Sequence, residues 1–60
     1  MEQAAALESL PAHYREVMLL RDLEEMTIAE ISARTGLTGA NVKGRLHRAR
    51  ALAREYLLAR

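Results

Sequence analysis

An all-α domain of four helices, with no sheet, is the fold this sequence predicts, and three observations carry the prediction. Only two residues are aromatic, Tyr14 and Tyr56, and few are β-branched, so no stretch has the alternation that a half-buried strand requires. Pro11, Thr27 with Glu30, Gly36 and Thr38 stand where helices begin or end, and they divide the chain into four segments. A length of 60 residues, half of them apolar, supports one small domain over 1–60 and not two.

The first helix is expected over about 2–9. It is alanine-rich and must stop before Pro11, whose ring disfavours helix at the preceding residue. Pro11 suits the first turn of the second helix, about 12–22, where its missing N–H costs nothing; Tyr14, Val17, Met18 and Leu20 give that helix a wide apolar face. Thr27-Ile28-Ala29-Glu30 is a capping box: hydroxyl and carboxylate each satisfy an orphaned backbone N–H. It opens a third helix, about 28–35, with Ile28 and Ile31 inward and Gly36 placed for a left-handed C-terminal cap. Thr38 then caps a fourth helix, about 39–58. The Gly36-Leu37-Thr38 link between the last two helices has the length of the turn in a helix-turn-helix. At 100° per residue, Val42, Leu46, Ala49, Ala53 and Tyr56 form the inward stripe of the fourth helix, while Lys43, His47, Arg48 and Ala51 lie on the other side.

Composition narrows the functions available. With no cysteine there is no thiolate nucleophile, no cysteine-bound zinc and no iron–sulfur cluster, and a reducing, cytoplasmic setting is expected. No apolar run approaches membrane-spanning length and the N-terminus lacks a cationic start, so neither a span nor a signal peptide is expected. His13 and His47 lie on different helices without an evident third ligand, and read as no metal site. His13 reads as a partly exposed structural residue, Tyr14 and Tyr56 as core or boundary aromatics, and Met18 and Met26 as apolar packing. No Ser/His/carboxylate set or phosphate-cradling glycine loop occurs, so neither catalysis nor a cofactor is expected.

Charge is the positive signal. The net of +1 conceals a division: residues 1–30 hold two arginines against seven acids, whereas residues 31–60 hold seven cations, Arg34, Lys43, Arg45, Arg48, Arg50, Arg54 and Arg60, against Glu55 alone. A basic half of this kind suits a polyanion, and the acidic half must face something else. A helix that follows a tight turn, with Lys43, His47 and Arg48 outward beside the small Gly44, has the form of a recognition helix for the DNA major groove. Backbone N–H groups near Thr38 and Gly39 are placed for a phosphate, and Arg21, Arg45 and Arg50 supply further phosphate contacts.

Several motifs occur together. Leu10-Pro11, Arg15-Glu16-Val17, Leu20-Arg21-Asp22, Thr27-Ile28-Ala29-Glu30-Ile31, Val42-Lys43-Gly44-Arg45 and Arg48-Ala49-Arg50 resemble region 4 of sigma-70-family factors, above all the extracytoplasmic-function (ECF) group. The resemblance spans about Leu7 to Leu58. It implies a small winged-helix-like, four-helix domain without a sheet, which reads the minus-35 element of promoter DNA within a bacterial RNA polymerase holoenzyme. It also implies that Lys43, Gly44, His47 and Arg48 face bases, and that Arg21, Thr38, Asn41 and Arg45 lie near phosphates. The apolar surface of the first three helices would hold the flap-tip helix of the polymerase β subunit, or an anti-sigma factor. Family members carry a further domain for the minus-10 element, so this domain is expected to be a C-terminal fragment of a longer factor. The sequence departs from the family at Gly44, where serine is frequent, at Ser32 in place of alanine, and at Asn41 in place of threonine or serine. Two other readings are a LuxR-like response-regulator output domain, dimeric on palindromic DNA, and a protein-interaction module whose acidic half binds polymerase or an anti-sigma helix.

Overall fold

The computed structural model describes residues 2–59, and side chains from residue 5 to residue 58. Among these residues four helices are joined by short turns, with α1 at Glu2–Ser9, α2 at Ala12–Met18, α3 at Ile28–Thr35 and α4 at Gly39–Ala59. This is the four-helix, sheet-free architecture that the caps and breakers imply. No described helix is long and apolar enough to cross a membrane.

Each boundary has a local cause. Pro11 is the residue before the first turn of α2, extended at φ −55° and ψ 150°, rather than within it; its carbonyl accepts from the N–H groups of Tyr14 and Arg15 at 3.1 and 3.0 Å. The capping box of α3 is complete: Thr27 Oγ1 accepts from the Glu30 N–H at 3.1 Å and the Glu30 carboxylate accepts from the Thr27 N–H at 2.7 Å. Gly36 closes α3 at φ 80°, with its N–H on the Ser32 carbonyl at 2.9 Å. Thr38 caps α4 by accepting from the Asn41 N–H at 3.1 Å.

The end of the second helix differs from expectation. Instead of stopping at Asp22, the chain continues through Leu23, with a π-helical turn at Leu19–Leu23 extending α2. The Glu24 N–H reaches five residues back to the Leu19 carbonyl, and the Met26 N–H reaches the Leu20 carbonyl, both at 3.1 Å. Glu25 adopts φ 56° between them, in the left-handed region where helix ends normally place glycine. The Arg21 guanidinium donates to the Met26 carbonyl at 3.2 Å and secures the turn.

The core is small and continuous. Val17, Leu20, Ile31, Val42 and Leu46 form it, and Met18, Met26, Ile28 and Leu37 cover its rim. Ala6, Leu10 and Ala49 are also buried. The helix α4 packs on α1, α2 and α3, and its inward stripe is as expected at Val42, Leu46 and Ala49; Ala53 and Tyr56 are half-buried. Ala51, expected outward, is also half-buried.

Two substitutions test this account. Leu46→Ala empties the centre of a core with little in reserve and is expected to cost about 2–5 kcal/mol, read as loss of helical circular dichroism and of a cooperative melt. Glu25→Gly removes a left-handed penalty of about 1–2 kcal/mol at a cost in chain flexibility of about 0.5–1 kcal/mol. A net gain of about 0.5–1 kcal/mol in urea unfolding is expected, and destabilisation would contradict the backbone conformation described.

Candidate nucleic-acid interface

The turn between α3 and α4 is tied at every residue. The Ser32 hydroxyl donates to the Leu37 carbonyl, the Leu37 N–H donates to Thr35 Oγ1 at 3.3 Å, and the Thr35 hydroxyl donates to the Ile31 carbonyl at 2.8 Å. Ser32, which stands out in the sequence only as a departure from alanine, is therefore a hydrogen-bonding tie. With Gly36 in its left-handed conformation, the ties hold α4 at a fixed angle to α3.

That fixed angle decides which side chains of α4 reach outward. Lys43, Gly44, His47 and Arg48 are exposed along its N-terminal half, as are Thr38 and Asn41 at its start; Arg45 is half-buried on one flank. No acidic residue occurs in α4 before Glu55. The N–H groups of Gly39 and Ala40, in the first turn, have no carbonyl available within the helix. The Thr38 oxygen accepts from Asn41, which leaves its hydroxyl proton for another acceptor. These groups make the start of α4 a dense array of donors beside the positive end of a helix dipole.

Arg21, in the π-helical turn after α2, and Arg50, further along α4, make contacts of their own. Arg21 holds the Met26 carbonyl. The Arg50 guanidinium donates to the Asp22 carboxylate at 2.8 Å, with the two side chains about half exposed at 48% and 50%, so the pair contributes less than about 1 kcal/mol. Arg50, expected only as a phosphate contact, is therefore also the link between the acidic and basic halves.

One corner of the surface joins residues that are far apart in the sequence. His13 and Tyr14, at the start of α2, stand beside the first turns of α4, with ring centroids 4.1 Å apart and ring planes at 42°. They wall one side of an open concavity of about 390 Å³; Asn41, Arg45 and Arg48 wall the other, and Ala40 and Gly44 complete it. Only the crossing of α2 over α4 brings these residues together, and nothing local in the sequence signals it.

The family described as "Sigma-70, region 4" matches residues 4–52. The chain belongs to the sigma-70 region 4 family. It is 42% identical over 53 residues to the ECF RNA polymerase sigma factor SigE of Mycolicibacterium smegmatis, covering 88% of this chain and 21% of that protein. It is 43% identical over 54 residues to the RNA polymerase sigma-E factor of Streptomyces coelicolor, covering 90% of this chain and 30% of that one. The chain thus spans between a fifth and a third of the length of these curated relatives, and the similarity to the first of them supports the resemblance to the ECF group. No solved structure matches the chain significantly.

Gly44 occupies the middle of the exposed face, where a Cβ would meet nothing within 4 Å. Gly44→Ala is therefore expected to stabilise the domain by about 1 kcal/mol through helix propensity alone. Urea unfolding followed by circular dichroism checks this; a lowered midpoint would mean that the position is sterically constrained.

Proposed function

We propose that this chain reads a promoter minus-35 element in duplex DNA as part of an RNA polymerase holoenzyme. The observation that carries the reading is the outward face of α4: Lys43, Gly44, His47 and Arg48 project from the N-terminal half of the second helix of a tight helix-turn-helix, on a helix without acid until Glu55. Lysine and arginine match the guanine acceptors O6 and N7. Gly44 lets the helix approach the base edges closely. Asn41, Thr38, Arg45, Arg21 and Arg50 serve the backbone phosphates, which set position and carry no sequence information. For Arg50 this role is shared with Asp22, because a guanidinium has five donors and the ion pair uses one N–H.

The acidic half is the proposed contact with RNA polymerase core, through the β flap tip, or with an anti-sigma factor. Two features support it: Leu23 is exposed at 73%, and a shallow groove runs along α2 between Ala12, Arg15, Glu16, Leu19, Leu20 and Glu24. The groove is lined by Ala12, Leu19 and Leu20 together with the charged Arg15, Glu16 and Glu24, a mixture that suits an amphipathic helix. The domain performs no catalysis in this reading.

Fluorescence anisotropy on short duplexes tests the DNA reading, with one duplex carrying a GAAC-type element and one scrambled. Preference of about tenfold, or about 1.4 kcal/mol, is expected. With about five phosphates engaged, log affinity should fall with log salt at a slope of about −4 to −5. Arg48→Ala should abolish the preference, at about 1–3 kcal/mol, whereas Arg21→Ala should weaken both duplexes equally. Equal binding to both duplexes by the unmodified chain would leave a basic helix-turn-helix that does not read sequence.

A further inference from the structure

We infer that the corner formed by His13 and Tyr14 is a backbone clamp, which takes a DNA phosphate into the concavity between α2 and the start of α4. The inference rests on the reading of α4 as a helix that enters the major groove. That groove is about 12 Å wide, and a helix with its side chains is about 10–12 Å across. A helix seated there fills it, so any group beside the helix meets a sugar-phosphate strand. His13 and Tyr14 occupy that place, on the flank of α4 that carries Arg45 and Arg48.

The chemistry of the lining selects the ligand. Arg45 is a donor only, and Asn41, His13 and Tyr14 each offer at least one donor; Arg48, which also lines the space, is kept for the bases. No carboxylate lines the space, although the chain has eight acidic residues. Ala40 and Gly44 keep the floor clear, with no atom within 4 Å of a Cβ built on Gly44. A space of about 390 Å³ open to solvent admits a phosphodiester with its sugar. Tyr14 is the positioning residue: half-buried, it packs against the exposed imidazole at 4.1 Å and holds it toward the concavity.

The test replaces each phosphate of the duplex, one at a time, by an uncharged methylphosphonate, and measures anisotropy with the 60-residue chain and with its His13→Ala variant. Circular dichroism is expected to be unchanged by substitution of this exposed residue. At one phosphate beside the α4 contact, neutralisation should weaken the unmodified chain by about fivefold, near 1 kcal/mol. The same change should weaken His13→Ala by less than about twofold, and the variant should bind the unmodified duplex about fivefold less tightly than its parent. His13→Arg, which restores a donor, should recover that loss. If His13→Ala binds as its parent does, or if its loss is the same at every phosphate position, the clamp is wrong. Titration of the free chain with inorganic phosphate separates the two sources of the anion: millimolar saturation would assign a free-anion site and overturn the DNA assignment. The scrambled duplex keeps this test independent of the promoter reading. A clamp effect equal on both duplexes supports the clamp even where sequence preference is absent, and preference without any His13 effect removes the clamp alone.

Discussion

The packing of one stripe of α4, Val42, Leu46 and Ala49, against Val17, Leu20 and Ile31 is the constraint on which the rest depends. The core has too few side chains to tolerate a second arrangement, since domains of this size bury only about 60% of their unfolded surface. Committing that stripe inward fixes the rotation of α4 about its axis. Once the rotation is fixed, the exposure of Lys43, Gly44, His47 and Arg48 is no longer free to vary: it follows from their angular offset from Val42 and Leu46. The ties within the turn add the second constraint, the angle at which α4 leaves α3. Rotation and angle together are all that a rigid helix needs in order to present a defined face.

The charge division gains meaning from this placement. Seven acids against two arginines in residues 1–30, and seven cations against one acid in residues 31–60, give the domain a strong electrical asymmetry. Near a polyanion it is turned before contact, with the α4 side leading. The Asp22–Arg50 pair lies where the two halves meet. Being half exposed, it adds little stability, and it offsets one of the acidic charges that follow α2, leaving Glu24 and Glu25 exposed.

Much of this was legible in the sequence because it is written in local chemistry. The capping box at Thr27 and Glu30, the left-handed Gly36 and the cap at Thr38 each act within three or four residues, and each appears where it was expected. The inward stripe of α4 follows from periodicity. What could not be read depends on relations between distant residues or on backbone register. The π-helical turn at Leu19–Leu23 follows from which carbonyl the Glu24 N–H selects, and Glu25 turns left-handed without the glycine that would announce it. Ser32 stands where alanine is usual, and nothing local announces its bond to the Leu37 carbonyl. Asp22 and Arg50 are 28 residues apart, and His13 meets Arg48 across one concavity only because α2 crosses α4.

The same geometry separates what keeps the domain folded from what would make it selective. Val17, Ile31, Val42 and Ala49 are wholly buried, and none of the side chains proposed to face bases belongs to the core. An exposed position on a helix accepts most residues within about 0.5 kcal/mol, so Lys43, His47 and Arg48 could be exchanged for other readers of base edges without loss of the fold. Gly44 is the exception that clarifies the rule. Glycine in a helix interior sacrifices about 1 kcal/mol, no neighbour in the folded chain requires it, and the loss falls on a domain with a small core. A residue that weakens its own helix and relieves no contact within the protein is best understood through something outside it. In the proposed complex that is the close approach of the backbone of α4 to the edges of the bases.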